Sequence, residues 1–109
     1  AACCNELQTL ANPASVGNVP TSAGMEDYNS MGATSANLAL QSIDLARVVV
    51  AIELLVMTEA MDHQRPLRSG AGVEQIVEHV RAVVPPLEHD RAPSPDIARI
   101  AELIASGSL

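Results

Sequence analysis

Two adjacent carboxylates, Glu26 and Asp27, sit near the end of a polar segment, NPASVGNVPTSAGMEDYNSMG over residues 12–32, and head a long apolar run. A loop punctuated by glycine and proline that delivers acids in this way presents site residues, because backbone amides and carboxylates converge where a ligand can meet them. Met25, Tyr28 and Asn29 flank the pair and complete a candidate substrate pocket, with Ser30 as a further polar group. Successive helical residues point about 100° apart, so at most one of the two acids faces a given pocket. The plainer reading makes both acids first-turn residues that complement the positive end of a helix dipole.

The remaining reactive groups are scattered. Glu53 lies within the apolar run 48–57 and reads as a structural carboxylate, bonded or ion-paired inside a bundle, since an unpaired buried charge is costly. His63, His79 and His89 are ten or more residues apart and carry no metal-ligand spacing, so no metal site is expected. Arg65 and Arg68 flank a turn and read as a solvated loop, with an anion or a neighbouring subunit as the sharper alternative. Cys3 and Cys4 are neighbours whose side chains diverge, which excludes an intrachain disulfide and suits a reducing cytoplasm.

The elements that must position these groups are helices. Residues 25–62 contain no proline and a single glycine, and the spacing predicts a helix over 25–63, with Gly24 as N-cap and Glu26 and Asp27 in its first turn. A helix of roughly 36 residues there would be ~54 Å long at 1.5 Å per residue, more than a globule of 109 residues can cover. Its segment 48–57, VVVAIELLVM, is apolar all round except for Glu53, which predicts burial on every side by other helices or other subunits. It is too short and too interrupted by Arg47, Glu53 and Glu59 for the ~20 residues a bilayer requires.

Pro66 ends the long helix near His63. A second helix is predicted over 73–84, stopped by Pro85 and Pro86, and a third over 95–106, with Ser94 as N-cap, Pro95 at the first helical position and Gly107 as its close. Nothing reads as a strand. The class is all-α, a long central helix for a multi-subunit bundle followed by two shorter ones. Three segments are expected: a helix end and loop over 1–24, the long helix over 25–63 and the C-terminal helices over 64–109.

Composition narrows the function. The net charge is −7 and all six basic residues are unclustered arginines, so neither nucleic acid nor an anionic membrane is an expected partner. Tyr28 is the only aromatic residue, which leaves an aliphatic core without the large rings that anchor small domains. The chain starts on Ala, and residues 1–11 read as the tail of a helix already under way, so a C-terminal piece of something longer is expected.

Three stretches, ELQTLANPASVGNVPTSAGMEDYNSMGATSA, RVVVAIELLVMTEAMDHQRPLRSG and DRAPSPDIARIAELIASGSL, resemble in order the C-terminal half of the histidine ammonia-lyase family, the aromatic amino-acid lyases. The resemblance implies a homotetramer with active sites shared between subunits, and a 4-methylidene-imidazol-5-one electrophile formed from an internal Ala-Ser-Gly in the missing N-terminal part. Glu26 matches the family's active-site glutamate, while Met25 and Tyr28 stand where many members carry Gln and His. The implied activity is elimination of ammonia from L-histidine to give trans-urocanate, with this piece inactive alone. Phenylalanine or tyrosine ammonia-lyases and aminomutases share the scaffold and are the first alternative. A non-catalytic oligomerisation module is the second.

One literal match to the precursor is not expected to form the electrophile. Ala105-Ser106-Gly107 repeats the precursor tripeptide, but it lies at a helix end and lacks the glycine-rich context and compressed loop that cyclisation needs.

Overall fold

The computed structural model describes residues 1–109 as two compact units, Ala1–Ala46 and Arg47–Leu109. Four α-helices appear in the order α1 (Ala2–Leu10), α2 (Gly32–His63), α3 (Ala71–Val83) and α4 (Ser94–Ala105), with short 3-10 turns at Ala14–Gly17 and Ser22–Gly24. There is no sheet, and the one β-type pairing is an isolated antiparallel bridge between Thr21 and Glu26. The all-α expectation holds.

The first unit holds α1, the loop and the start of α2. Here the structure corrects the sequence reading: α2 begins at Gly32, not near Met25, and no acid lies in its first turn. The loop has already used the backbone groups that an earlier start would need. The N–H and C=O of Glu26 both bond to Thr21, and those of Asn29 both bond to the side chain of Asn18. Met31 then takes φ 48°, a left-handed conformation that no α-helix interior accepts from a residue with a side chain. Glu26 and Asp27 are therefore loop residues, and the helix-cap reading of them falls.

The second unit packs α3 and α4 on the C-terminal part of α2. Ala51, Leu54, Leu55 and Thr58, at i, i+3, i+4 and i+7, form the stripe of α2 that is buried or half-buried. Ala51 joins Val80, Val84 and Ile100 in a core from which solvent is excluded, with Ile97, Ala101 and Ile104 packed around it. Each fully buried aliphatic side chain contributes roughly 1.5–3 kcal/mol.

Half of the run 48–57 is not enclosed by this chain. Val56 is 58% and Met57 55% exposed, Val50 and Ile52 are also exposed, and so is Glu53, which was expected inside a bundle. One face of the helix is covered here, not every face.

Helix ends follow local chemistry. Pro85 drives Val84 to extended angles, so α3 closes at Val83. α4 starts at Ser94 with Pro95 in its first turn and Pro93 before it, and no side-chain cap bond is made at Pro93. Its other end is a Schellman motif: Gly107, at φ 71°, donates its N–H to Ile104 O, and Ser108 donates to Leu103 O.

Candidate functional site

The loop carrying the candidate acids is built around two residue pairs. Thr21 and Glu26 face each other across a tight reversal: Thr21 N–H donates to Glu26 O at 2.7 Å, and Glu26 N–H returns to Thr21 O at 3.2 Å. The Thr21 hydroxyl donates to Glu26 Oε2 at 3.0 Å. The second pair closes the base of the loop. Asn18 Nδ2 donates to Asn29 O, Asn29 N–H donates to Asn18 Oδ1 at 3.0 Å, and Asn29 Nδ2 donates to Val19 O at 2.9 Å.

The reversal needs an unusual backbone. Ser22, Ala23 and Gly24 have φ values of 51°, 54° and 85°, all in the left-handed region. Gly24 is there without steric cost, whereas Ser22 and Ala23 each store on the order of 1–2 kcal/mol. This backbone brings Thr21 and Glu26 together, and Glu26 remains exposed.

The sequence-predicted residues fall into two groups. Glu26 and Asn29 are tied by side-chain bonds, whereas Met25, Asp27 and Tyr28 stand open to solvent, Met25 at 87% and Tyr28 at 80% exposure. Within the chain, Glu26 Oε2 is engaged by Thr21 and Oε1 is left available. Such a group can accept a hydrogen bond from a ligand N–H or meet a cation. Sequence reasoning missed Thr21 and Asn18; the available signal was a Pro-Thr-Ser-Ala-Gly turn and two asparagines bracketing it, side chains that habitually bond to nearby backbone.

Elsewhere several charged groups are engaged in ion pairs. Arg65, read as part of a solvated loop with an anion as the sharper alternative, instead donates from Nη1 to both carboxylate oxygens of Glu74 at 2.9 and 3.0 Å, and Glu74 also accepts from Ser69 N–H. The Ser69 N–H, followed by Arg65, holds Glu74 below its usual carboxylate range despite an opposing desolvation effect. Arg91 Nε donates to Asp96, and its remaining nitrogens donate to the carbonyls of Pro85 and Pro86. No His, Cys, Asp and Glu side chains gather in threes where a metal could sit.

The family model for aromatic amino acid lyase matches residues 1–82. The chain belongs to the aromatic amino acid lyase family. It is 44% identical over 104 residues to histidine ammonia-lyase of Stigmatella aurantiaca and 46% identical over 105 residues to that of Sorangium cellulosum, covering 95% and 96% of the chain. It spans 20% of the length of each of these relatives.

Among solved structures, histidine ammonia-lyase from Trypanosoma cruzi superposes with a TM-score of 0.91 at 37% identity over 98% of this chain and 21% of its own. The ergothionase of Treponema denticola, in complex with desmethyl-ergothioneine sulfonic acid, gives 0.88 at 25% identity over 98% of this chain and 22% of its own.

The literal Ala-Ser-Gly of this chain sits at the end of α4. Ala105-Ser106-Gly107 forms the helix stop just described, with Ser106 Oγ donating to Leu103 O at 3.0 Å and all three residues exposed. A Schellman cap is relaxed and solvated, the opposite of the compressed interior loop that cyclisation needs.

Proposed function

We propose that this chain is the C-terminal portion of a histidine ammonia-lyase catalytic domain, and that it supplies Glu26 to the substrate pocket. The observation that carries this reading is the Glu26 carboxylate, exposed on the flank of a strained reversal with Oε2 bonded to Thr21 and Oε1 unengaged within the chain. Its setting in a chain 44–46% identical to histidine ammonia-lyases over nearly its whole length supports the choice of substrate.

The reaction eliminates ammonia from L-histidine: the Cα–N bond breaks, a proton leaves Cβ, and a double bond forms to give trans-urocanate. The methylidene-imidazolone electrophile and the base that takes the β-proton are assigned to segments outside this chain. The role of this chain is binding and orientation. Imidazole can donate an N–H to Glu26 or, when protonated, pair with it in a charge-assisted hydrogen bond, which a phenyl ring cannot do. Met25, Asp27, Tyr28 and Asn29 are the proposed neighbours of the bound ring.

The assembly is proposed to be a homotetramer whose active sites are shared between subunits. The apolar residues Val50, Ile52, Val56 and Met57, uncovered within this chain, are in keeping with burial of α2 by helices outside it, a place other subunits would fill. No helix is long and apolar enough to cross a membrane, and Cys3 and Cys4 are both free thiols, in keeping with a cytoplasmic enzyme.

The test is to mix L-histidine with the complete enzyme containing this chain and follow the ultraviolet absorbance of urocanate, with and without prior borohydride treatment. A rise that borohydride abolishes is expected. No rise with histidine but turnover of phenylalanine or tyrosine would move the chain to another branch of the family, and turnover of none would leave the assembly role alone.

A further inference from the structure

Thr21 directs three hydrogen bonds at Glu26: its N–H, its C=O and its hydroxyl all meet that one residue. The two backbone bonds suffice to close the reversal. The hydroxyl bond adds nothing to closure, yet it selects one orientation of the carboxylate. A glutamate has three side-chain torsions, and at an exposed position an unrestrained one spreads over many rotamers. Thr21 is β-branched and stiff at χ1, so its hydroxyl is a fixed point against which Oε2 is held.

From this we infer that Thr21 is a positioning residue for the lyase reaction, acting through Glu26: it fixes Oε2 so that Oε1 faces the substrate ring with its orientation set beforehand. The inference rests on the reading of Glu26 as the ring-binding carboxylate. The strained angles at Ser22 and Ala23 support it independently, because backbone strain persists where the geometry it enforces has a use. A plain surface turn between Thr21 and Glu26 would be met more cheaply by glycines.

A substrate in the pocket meets a carboxylate with one oxygen already committed. Losing the hydroxyl leaves the loop's backbone bonds intact and releases only the side chain. The consequence is a kinetic one, read as reduced capture of the transition state.

The experiment uses the complete enzyme with L-histidine and compares wild type, Thr21→Val, Thr21→Ser, Glu26→Ala and the double variant Thr21→Val with Glu26→Ala. Val keeps the shape and β-branching but removes the donor; Ser keeps the donor. We expect Thr21→Val to lower kcat/KM about tenfold, the value of one hydrogen bond to a charged group, with an unchanged melting temperature and oligomeric state. Thr21→Ser should recover most of that loss. In the Glu26→Ala background, Thr21→Val should have no further effect, since its action runs through a carboxylate that is no longer there.

Full activity in Thr21→Val, or an equal loss in both backgrounds, would overturn the positioning role while leaving the lyase reading intact. Failure of that reading looks different: a wild type that does not convert L-histidine, or a fully active Glu26→Ala, removes both.

Discussion

Asn18 and Asn29 grip each other across the base of the candidate loop: each side chain bonds to the other residue or its neighbour's backbone, and both are half-buried. The grip holds the chain ends of the segment that carries Thr21 and Glu26. Asn18→Ala deletes the Asn18 bonds and leaves Asn29 N–H and C=O without those partners. A net loss of about 1–2 kcal/mol of local stability is expected. Hydrogen exchange of the Glu26 and Asn29 amides in the complete enzyme should accelerate, while amides in α4 keep their protection.

Gly24 provides a cleaner test of the loop's backbone. Its φ is 85° and no atom lies within 4 Å of where a Cβ would be, so Gly24→Ala meets no steric neighbour. Any cost is conformational, about 1 kcal/mol. Ala23→Gly, at φ 54°, should act in the opposite direction and relieve strain of similar size. Thermal unfolding of the two variants should bracket the wild type; a Gly24→Ala variant more stable than wild type would contradict the left-handed reversal.

Arg81 ties two helices of the second unit together beside its aliphatic core. Its guanidinium reaches Glu59 Oε2 and Asp62 Oδ2, both at 2.7 Å, and links α3 to α2. All three side chains are mostly shielded from water, so Arg81→Met leaves two acids facing each other without their counter-charge. That costs about 2 kcal/mol, between the values for exposed and buried pairs. Chemical denaturation should show a lowered midpoint, and Arg81→Lys should recover part of it.

The same cluster sets an acid dependence. Burial pushes Glu59 up, but the Arg81 hydrogen bond, the Leu87 N–H and the charges of Arg81 and His63 together hold it below its usual range. A carboxylate depressed in the folded state stabilises fully above its unfolded value, and that contribution disappears as pH falls through the folded value. Stability should therefore drop from about pH 5 downward. Glu59→Gln should flatten part of that slope and show no difference in slope above it.

Much of this architecture was legible in the residue order, and the reasons differ by element. The end of α2 at His63 is written in Pro66, the stop of α3 in Pro85, and the close of α4 in Gly107, all local effects of one residue on its neighbours. The start of α2 was misread because its cause is not local. Residues 25–31 carry no breaker that forbids a helix; they are withheld from it by Asn18 and Thr21, several positions upstream, which capture the amides of Asn29 and Glu26. Positive φ at Ser22, Ala23 and Met31 has no signature in residue type.

Among the candidate site residues, Glu26 and its neighbours stand out in the sequence because loop chemistry and motif point the same way. Thr21 was passed over because its part depends on a side-chain bond five positions along the chain, visible only in three dimensions. The partnership of Arg81 with Glu59 and Asp62, across a span of 22 and 19 residues, is equally hidden.

The uncovered face of α2 yields the last expectation. Val50, Ile52, Val56 and Met57 are all exposed within the chain, while Ala51, Leu54, Leu55 and Thr58 on the other side are buried or half-buried. Two apolar faces on one helix cannot both be satisfied by α3 and α4. Each large aliphatic side chain left in water forgoes roughly 1.5–3 kcal/mol, enough to favour association when several are contiguous. The isolated 109-residue chain should therefore self-associate, with an unfolding midpoint that rises with concentration. Val56→Glu together with Met57→Glu should shift sedimentation toward the monomer and remove the concentration dependence. A wild-type chain that sediments as a monomer at every concentration, with one sharp and unchanging transition, would show that this face needs no partner.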